Sequence, residues 1–290
     1  MKTNLFIAGA CKSGTSFLHD FLGQQQDVCP SSPKEPYFFE LPEHKRNARA
    51  YHKKYFKFYK AEKYLMDSRH RNMFFSWIPE AIYDYNADSK IIFILRDPSD
   101  RAFSHWWMWY SRKIITKKFH KTIISEIGSI DSGNLQMNMS QIEYFDYIKN
   151  GAPQERMAYS DSNTIVESGY YYTQISRFKN FFKEHQILIL DFNEIRDLDR
   201  LSNKLKAFLQ VDINAGMNLD NNVNKAPEFA KRTSSIGKFL PKNLKTVLKK
   251  VFFRKPKFSQ KSKLLLKKHY QVENRKLNDE LGVEFAKNWL

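Results

Sequence analysis

A three-layer α/β fold is what this sequence predicts: a P-loop-like arrangement with a central parallel sheet flanked by helices. Three observations carry that expectation. A short apolar strand runs into a glycine loop and then a helix between Asn4 and Gly23. Two more apolar runs, Ile91–Leu95 (IIFIL) and Ile187–Leu190 (ILIL), have the unbroken character of strands buried on both faces. Segments with helical spacing separate these runs, and strands alternating with helices build α/β layers.

The first strand is Asn4–Ala10, NLFIAGA, and the loop Gly9–Gly14 follows it. Thr15–Gly23 then reads as a helix, because Phe17, Leu18, Phe21 and Leu22 share one face and Gly23 suits its end. The second strand closes in Arg96, and Asp97-Pro98 marks a turn into another helix. On that helix Ala102, Phe103, Trp106, Trp107 and Tyr110 recur at helical spacing. Residues 113–166 are rich in Ser, Asn and Gly and read as helix mixed with loops. Ser168–Phe182 returns to helical spacing before the third strand, which ends in Asp191. Leu244, Val247, Leu248, Val251 and Phe252 form the apolar stripe of a basic amphipathic helix. The closing stretch reads as a helix through Leu281 with a turn at Gly282. No repeat or linker divides the chain, so residues 1–290 are expected to form one domain.

Composition narrows the function. With 42% hydrophobic residues the chain can bury a core. It holds no apolar run of about 18 residues, so no membrane span is expected. The apolar stretch at its start is too short for a signal peptide and leads straight into the loop. Two cysteines, Cys11 and Cys29, cannot make a disulfide framework. A cytoplasmic location is the expectation from these features. The eight histidines show no metal-ligand spacing, so no metal site is expected. The formal charge is +17, and residues 225–268 hold fifteen Lys and Arg against one acid, Glu228, a local +14. Such a segment suits an acidic glycan, nucleic acid or an anionic membrane surface, or it is a solvated basic face.

The chemistry concentrates at two places. A loop at a helix start presents backbone N–H groups and a positive dipole end to an anion. Ser13, Thr15 and Ser16 add hydroxyls, Gly14 gives the turn, and Lys12 adds a point charge. This is not the ATP-binding G-x-x-x-x-G-K-[ST] pattern, because Lys12 precedes Gly14. The second place is the end of the Ile91–Leu95 strand, where ligands gather in open α/β sheets. There Arg96 has the forked geometry for phosphate, and Ser104 can donate one more hydrogen bond. Together the two places suit a nucleotide carrying phosphate at both ends. An ATP-dependent phosphotransferase stays open, with Asp191 as its metal-binding acid. So does a non-catalytic polyanion binder, which would need no strand–loop–helix cradle.

The residues KSGTSFL (Lys12–Leu18) and ILRDPSDRAFSHW (Ile94–Trp106) resemble the two signature motifs of sulfotransferases that use 3′-phosphoadenosine 5′-phosphosulfate, PAPS. The resemblance implies that Lys12, Ser13, Gly14, Thr15 and Ser16 hold the 5′-phosphosulfate. It implies that Arg96 and Ser104 hold the 3′-phosphate, with no metal required. SPKEPYFFE, Ser32–Glu40, resembles the K-E-P-H-F-F-like stretch of bacterial and heparan-sulfate-type enzymes, in which a Glu is the proposed base; by position this is Glu35. Tyr37 stands where those relatives often have His, and either hydrogen-bonds Glu35 or packs. The cytosolic group uses a His base instead, for which His105 is the candidate here. The resemblance extends to Glu167–Phe182, Ile187–Ile195 and His269–Gly282 and is thinnest over 113–166, expected to be a variable acceptor-side region. Tyr171 is placed near the nucleotide by the same likeness. The cytosolic group's R-K-G-x-x-G-D-W-K loop is absent; Asn224–Thr233 takes a similar chain position, with Lys231 and Arg232 as its phosphate contacts.

The implied reaction is in-line sulfuryl transfer. Glu35 takes the acceptor's proton, and Lys12 offsets charge growing on the leaving phosphate. The Glu-type segment points to a carbohydrate hydroxyl or amine as acceptor, with a small natural product as the alternative. The basic stretch would suit an acceptor that is already anionic, or a peripheral membrane contact. Trp106, Trp107, Trp109 and Tyr110 either pack in the core or stack on sugar rings.

Overall fold

The structure is a computed structural model that describes residues 2–149, 162–216 and 255–290. The amphipathic helix expected at Leu244–Phe252, and both Lys231 and Arg232, lie outside the described residues.

Five parallel strands form one sheet in the order β2-β3-β1-β4-β5. They are β1 (Leu5–Gly9), β2 (Val28–Pro30), β3 (Tyr64–Ser68), β4 (Lys90–Leu95) and β5 (Ile187–Asp191). β1, β4 and β5 are the three apolar runs of the sequence. β2 and β3 are additions that the sequence reading missed. Around the sheet lie α1 (Thr15–Leu22), α2 (Ala48–Tyr55), α3 (Ile78–Tyr85), α4 (Pro98–Ser111) and α5 (Phe119–Asp131). The chain continues through α6 (Gln141–Lys149), α7 (Tyr171–Lys179), α8 (Leu198–Leu209) and α9 (Gln260–Asp279). The closing helix is thus two residues shorter than the sequence suggests, and α7 is preceded by a 3₁₀ turn at Glu167–Gly169.

Side chains alternate along the strands and feed two cores, one on each sheet face. Phe6 and Ala8 of β1 share one face with Ile91, Phe93 and Leu95 of β4. That face packs under α3, α7 and the C-terminal Trp289. Leu5 and Ile7 join Ile92 and Ile94 on the other, under α1 and α8. All nine of these strand residues are fully buried, so truncating a Leu, Ile or Phe among them to Ala costs about 2–5 kcal/mol. A third core joins α4, α5 and α9, and it buries Trp106 and Trp109.

The topology places the site. β3 pairs with one side of β1 and β4 with the other. Their carboxyl ends therefore flank a crevice where the strand order switches. The segment after β3 is tied to β1, with Arg69 N–H donating to Ile7 C=O (3.1 Å) and Met73 N–H to Ala8 C=O (3.0 Å). That close approach explains Gly9, where an added Cβ would fall 2.8 Å from Met73 Cβ.

Candidate active site

The loop after β1 makes one half of the site. Gly14 caps α1 at φ 98° with no side-chain cap, which leaves the first-turn N–H groups for an anion. Lys12, just ahead, is also left-handed at φ 63°. Ser13 and Thr15 are buried, whereas Ser16 is exposed. Across the loop, Arg96 follows β4 with its guanidinium 4.8 Å from the centre of the Phe192 ring. Asp97 accepts from the N–H groups of Ser99 and Asp100 and so starts α4, and Ser104 sits half-buried on that helix. The buried Tyr171 hydroxyl donates to Arg96 C=O at 2.9 Å. Burial pushes that hydroxyl up to about 12, so it stays a donor.

A third cation joins this half, and the sequence reading did not single it out. Lys255 stands 4.7 Å from the centre of the Phe103 ring. Its ammonium is held below the ordinary lysine value, first by burial and then by the charges of Arg96 and Lys12, with Asp100 opposing. Charges that depress a neighbour's protonation lie within its electrostatic reach. Lys255 therefore shares its surroundings with Lys12, Arg96 and Asp100, and the three cations form a cluster. This cluster, beside an uncapped helix start, fits a nucleotide with phosphates at two positions. Lys255 lies within the basic stretch 225–268, but no spacing marks it among the other lysines.

Glu35 forms the other half. It follows β2, is left-handed at φ 68°, and is fixed by its N–H donating to Ser68 C=O at 3.2 Å. A non-glycine residue in this region is uncommon, and such outliers concentrate at functional sites. The Glu35 carboxylate pairs with Lys34 and lies 3.2 Å from His70 Nδ1 and 3.8 Å from Arg69 Nη1. Burial alone would raise its pKa, but Lys34, His70 and Arg69 hold it well below the usual carboxylate range. Beneath it Arg69 is fully buried and pairs with Glu40, which also accepts from the Tyr144 hydroxyl. Glu40 is likewise held low, burial being overcome by Arg69 and Arg71. The halves meet across α1: burial, then the Lys34 charge, drives buried His19 down to about 4, with Glu35 opposing.

Other expected residues sit elsewhere. His105 is fully buried, with Nδ1 3.2 Å from Arg101 Nη1, so it packs inside α4; the imidazole beside Glu35 is His70. His70 follows β3, a strand with no apolar run to announce it. Tyr37 is exposed, with the Lys54 ammonium 5.2 Å from its ring centre, and packs there. Asp191 ends the edge strand β5 and spends its carboxylate capping the next turn through Asn193 N–H. Cys11 is buried. Among the described residues, no helix is long and apolar enough to cross a membrane.

A family model described as a sulfotransferase domain matches residues 2–284. Over 202 residues, 66% of this chain, the sequence is 29% identical to bifunctional heparan sulfate N-deacetylase/N-sulfotransferase 1 of Xenopus laevis. It is 28% identical to the protein of the same name in Xenopus tropicalis. The match takes in 20% of each, so the chain spans about a fifth of the length of the curated relatives it matches. Among solved structures, a sulfotransferase from Alicyclobacillus acidocaldarius shares the fold, with a TM-score of 0.57 at 24% identity over 77% of this chain and 88% of that one.

Proposed function

The chain belongs to the sulfotransferase family, and we propose that it sulfates a hydroxyl or amine of a carbohydrate with PAPS as donor. The observation that carries this reading is the uncapped start of α1, with Lys12 in its loop and Arg96 at the end of β4, the strand paired with β1. PAPS, when bound, supplies the sulfuryl group. Lys12, with the Gly14–Ser16 backbone and the Ser13, Thr15 and Ser16 hydroxyls, is assigned to its phosphosulfate end. Arg96 and Ser104 are assigned to the 3′-phosphate, with Lys255 as the third charge. Tyr171 positions Arg96 through the backbone. Lys231 and Arg232 are assigned further phosphate contacts from the Asn224–Thr233 stretch.

Glu35 is the proposed proton acceptor. Its cationic neighbours keep it ionised at neutral pH, so it can receive the acceptor's proton, a role worth about 10²–10⁴-fold. The hydrogen bond to His70 orients the carboxylate and gives the proton an onward partner. The names of the Xenopus relatives support a sugar amine as one acceptor.

The test is calorimetry with adenosine 3′,5′-bisphosphate, the desulfated nucleotide, without metal, beside ATP with Mg²⁺. We expect micromolar binding of the bisphosphate that is lost in Lys12→Ala and Arg96→Ala. Binding of ATP with Mg²⁺ and not of the bisphosphate would move the chain to phosphotransferases.

A further inference from the structure

A cavity of about 790 Å³ lies along α4, between that helix, the start of α5 and the segment entering α9. It belongs neither to the loop cradle nor to the Glu35 corner. Its walls are aromatic: Trp106, Trp107, Tyr110 and Phe119 line it. Trp106 and Tyr110 are stacked, with ring centres 4.5 Å apart at 28°. Trp106 is spent on the core, but Trp107 and Tyr110 are only half-buried and keep ring surface available. Ile115 and Pro256 add apolar surface, and the polar part of the lining is basic or hydroxylic. Lys113, Lys118 and Lys257 reach it, with Ser111, Thr116 and Ser259, and no carboxylate lines it among the described residues. Beyond its rim, Lys117, Lys121 and Lys261 are exposed on the same elements.

We propose that this cavity is a docking subsite for an anionic saccharide chain, engaged several sugar units away from the reacting group. This rests on the sulfotransferase reading and specifies its acceptor. Each part of the lining has a counterpart in such a chain. Flat aromatic surface receives the apolar face of a pyranose ring. Lysines match carboxylates, and hydroxyls match hydroxyls. A lining without acid repels no part of an anionic chain, and the lysines outside it extend the match to neighbouring units. The cavity also continues toward the nucleotide half. Phe103 is part of its lining, and the same ring lies under Lys255 of the cation cluster. A chain laid along α4 therefore ends beside the residues assigned to the 3′-phosphate.

The test uses a hexasaccharide of alternating glucuronic acid and N-acetylglucosamine, its disaccharide, a neutral chitin hexamer, oligouridylate and phosphatidylglycerol vesicles. Binding is read by calorimetry and tryptophan fluorescence without nucleotide, so it does not depend on turnover. The hexasaccharide is expected to bind about tenfold or more tighter than the disaccharide or the neutral hexamer. Lys113→Glu with Lys118→Glu should weaken it about tenfold, and Trp107→Ala should do likewise. Charge reversal at the exposed Lys57 and Lys60, away from the cavity, should leave it unchanged. Affinity for adenosine 3′,5′-bisphosphate should hold in every variant. Equal binding of the hexasaccharide by wild type and both cavity variants overturns the proposal. So does a cavity-dependent affinity for oligouridylate or vesicles without one for the hexasaccharide. Loss of bisphosphate binding in the wild-type protein would instead strike the sulfotransferase reading, and the saccharide measurements would still judge the cavity.

Discussion

The two halves of the site handle charge in opposite ways. On the nucleotide side, Lys12 and Arg96 both act on Lys255, with Asp100 as an opposing charge. On the other side, Glu35 and Glu40 are matched by Lys34, Arg69, His70 and Arg71. The first arrangement brings like charges together, and in the second each carboxylate is ion-paired within the protein. The contrast separates a surface made to bind from a carboxylate made to wait. Glu35→Gln is the sharpest way to break it. Turnover should fall by about 10²–10⁴-fold while bisphosphate affinity stays the same. Normal turnover in that variant would remove Glu35 from the chemistry and leave His70 as the group to test.

The balanced half should also be the one that holds the fold. Arg69 is fully buried, and Glu40 is its ion-pair partner beneath the site. Glu40→Gln leaves the buried guanidinium with only the more distant Glu35 as countercharge, at a cost of about 3 kcal/mol in denaturant unfolding. Arg96→Ala tests the other half and should do the reverse. Stability should change little, because the guanidinium is half-exposed against Phe192. Bisphosphate affinity should drop about 10- to 100-fold, as expected for a lost charge-assisted contact. If Arg96→Ala unfolds the protein and Glu40→Gln leaves it stable, the assignment of roles is inverted.

The same division governs what the sequence discloses. Lys12–Ser16 and Arg96–Ser104 are contiguous stretches on apolar strands, so strand, loop and helix can be read together. β2 is three residues ending in proline, and β3 carries Asp67 in its middle. Neither gives an apolar run, so the strand that delivers Arg69 and His70 goes unseen, and with it the partners of Glu35. Glu35 itself was found only by resemblance, since an isolated acid in a Ser- and Pro-rich stretch carries no signal of its own. The aromatic helix shows the limit of periodicity. Trp106, Trp107, Trp109 and Tyr110 share one pattern, yet Trp106 and Trp109 are buried in the core while Trp107 and Tyr110 are half-buried. Which side α5 and α9 cover is a tertiary fact.

Lys255 offers the finest test of the contrast, because its effect is the smallest. Burial, and then the charges of Arg96 and Lys12, lower the pKa of its ammonium. As pH rises, it loses its proton before an ordinary lysine does, and the cluster weakens. A bound phosphate would restore the proton, because an adjacent anion favours the charged form. Bisphosphate binding at alkaline pH should therefore take up a proton, visible as a calorimetric heat that changes with the ionisation enthalpy of the buffer. Lys255→Gln should abolish that dependence and weaken binding only a few-fold, because Lys12 and Arg96 remain and salt screens the lost charge. An uptake that survives in Lys255→Gln would assign the proton to another group. A cluster that keeps its full affinity without Lys255 would have two working cations, and the nucleotide half would then be less unlike the balanced half than its charges suggest.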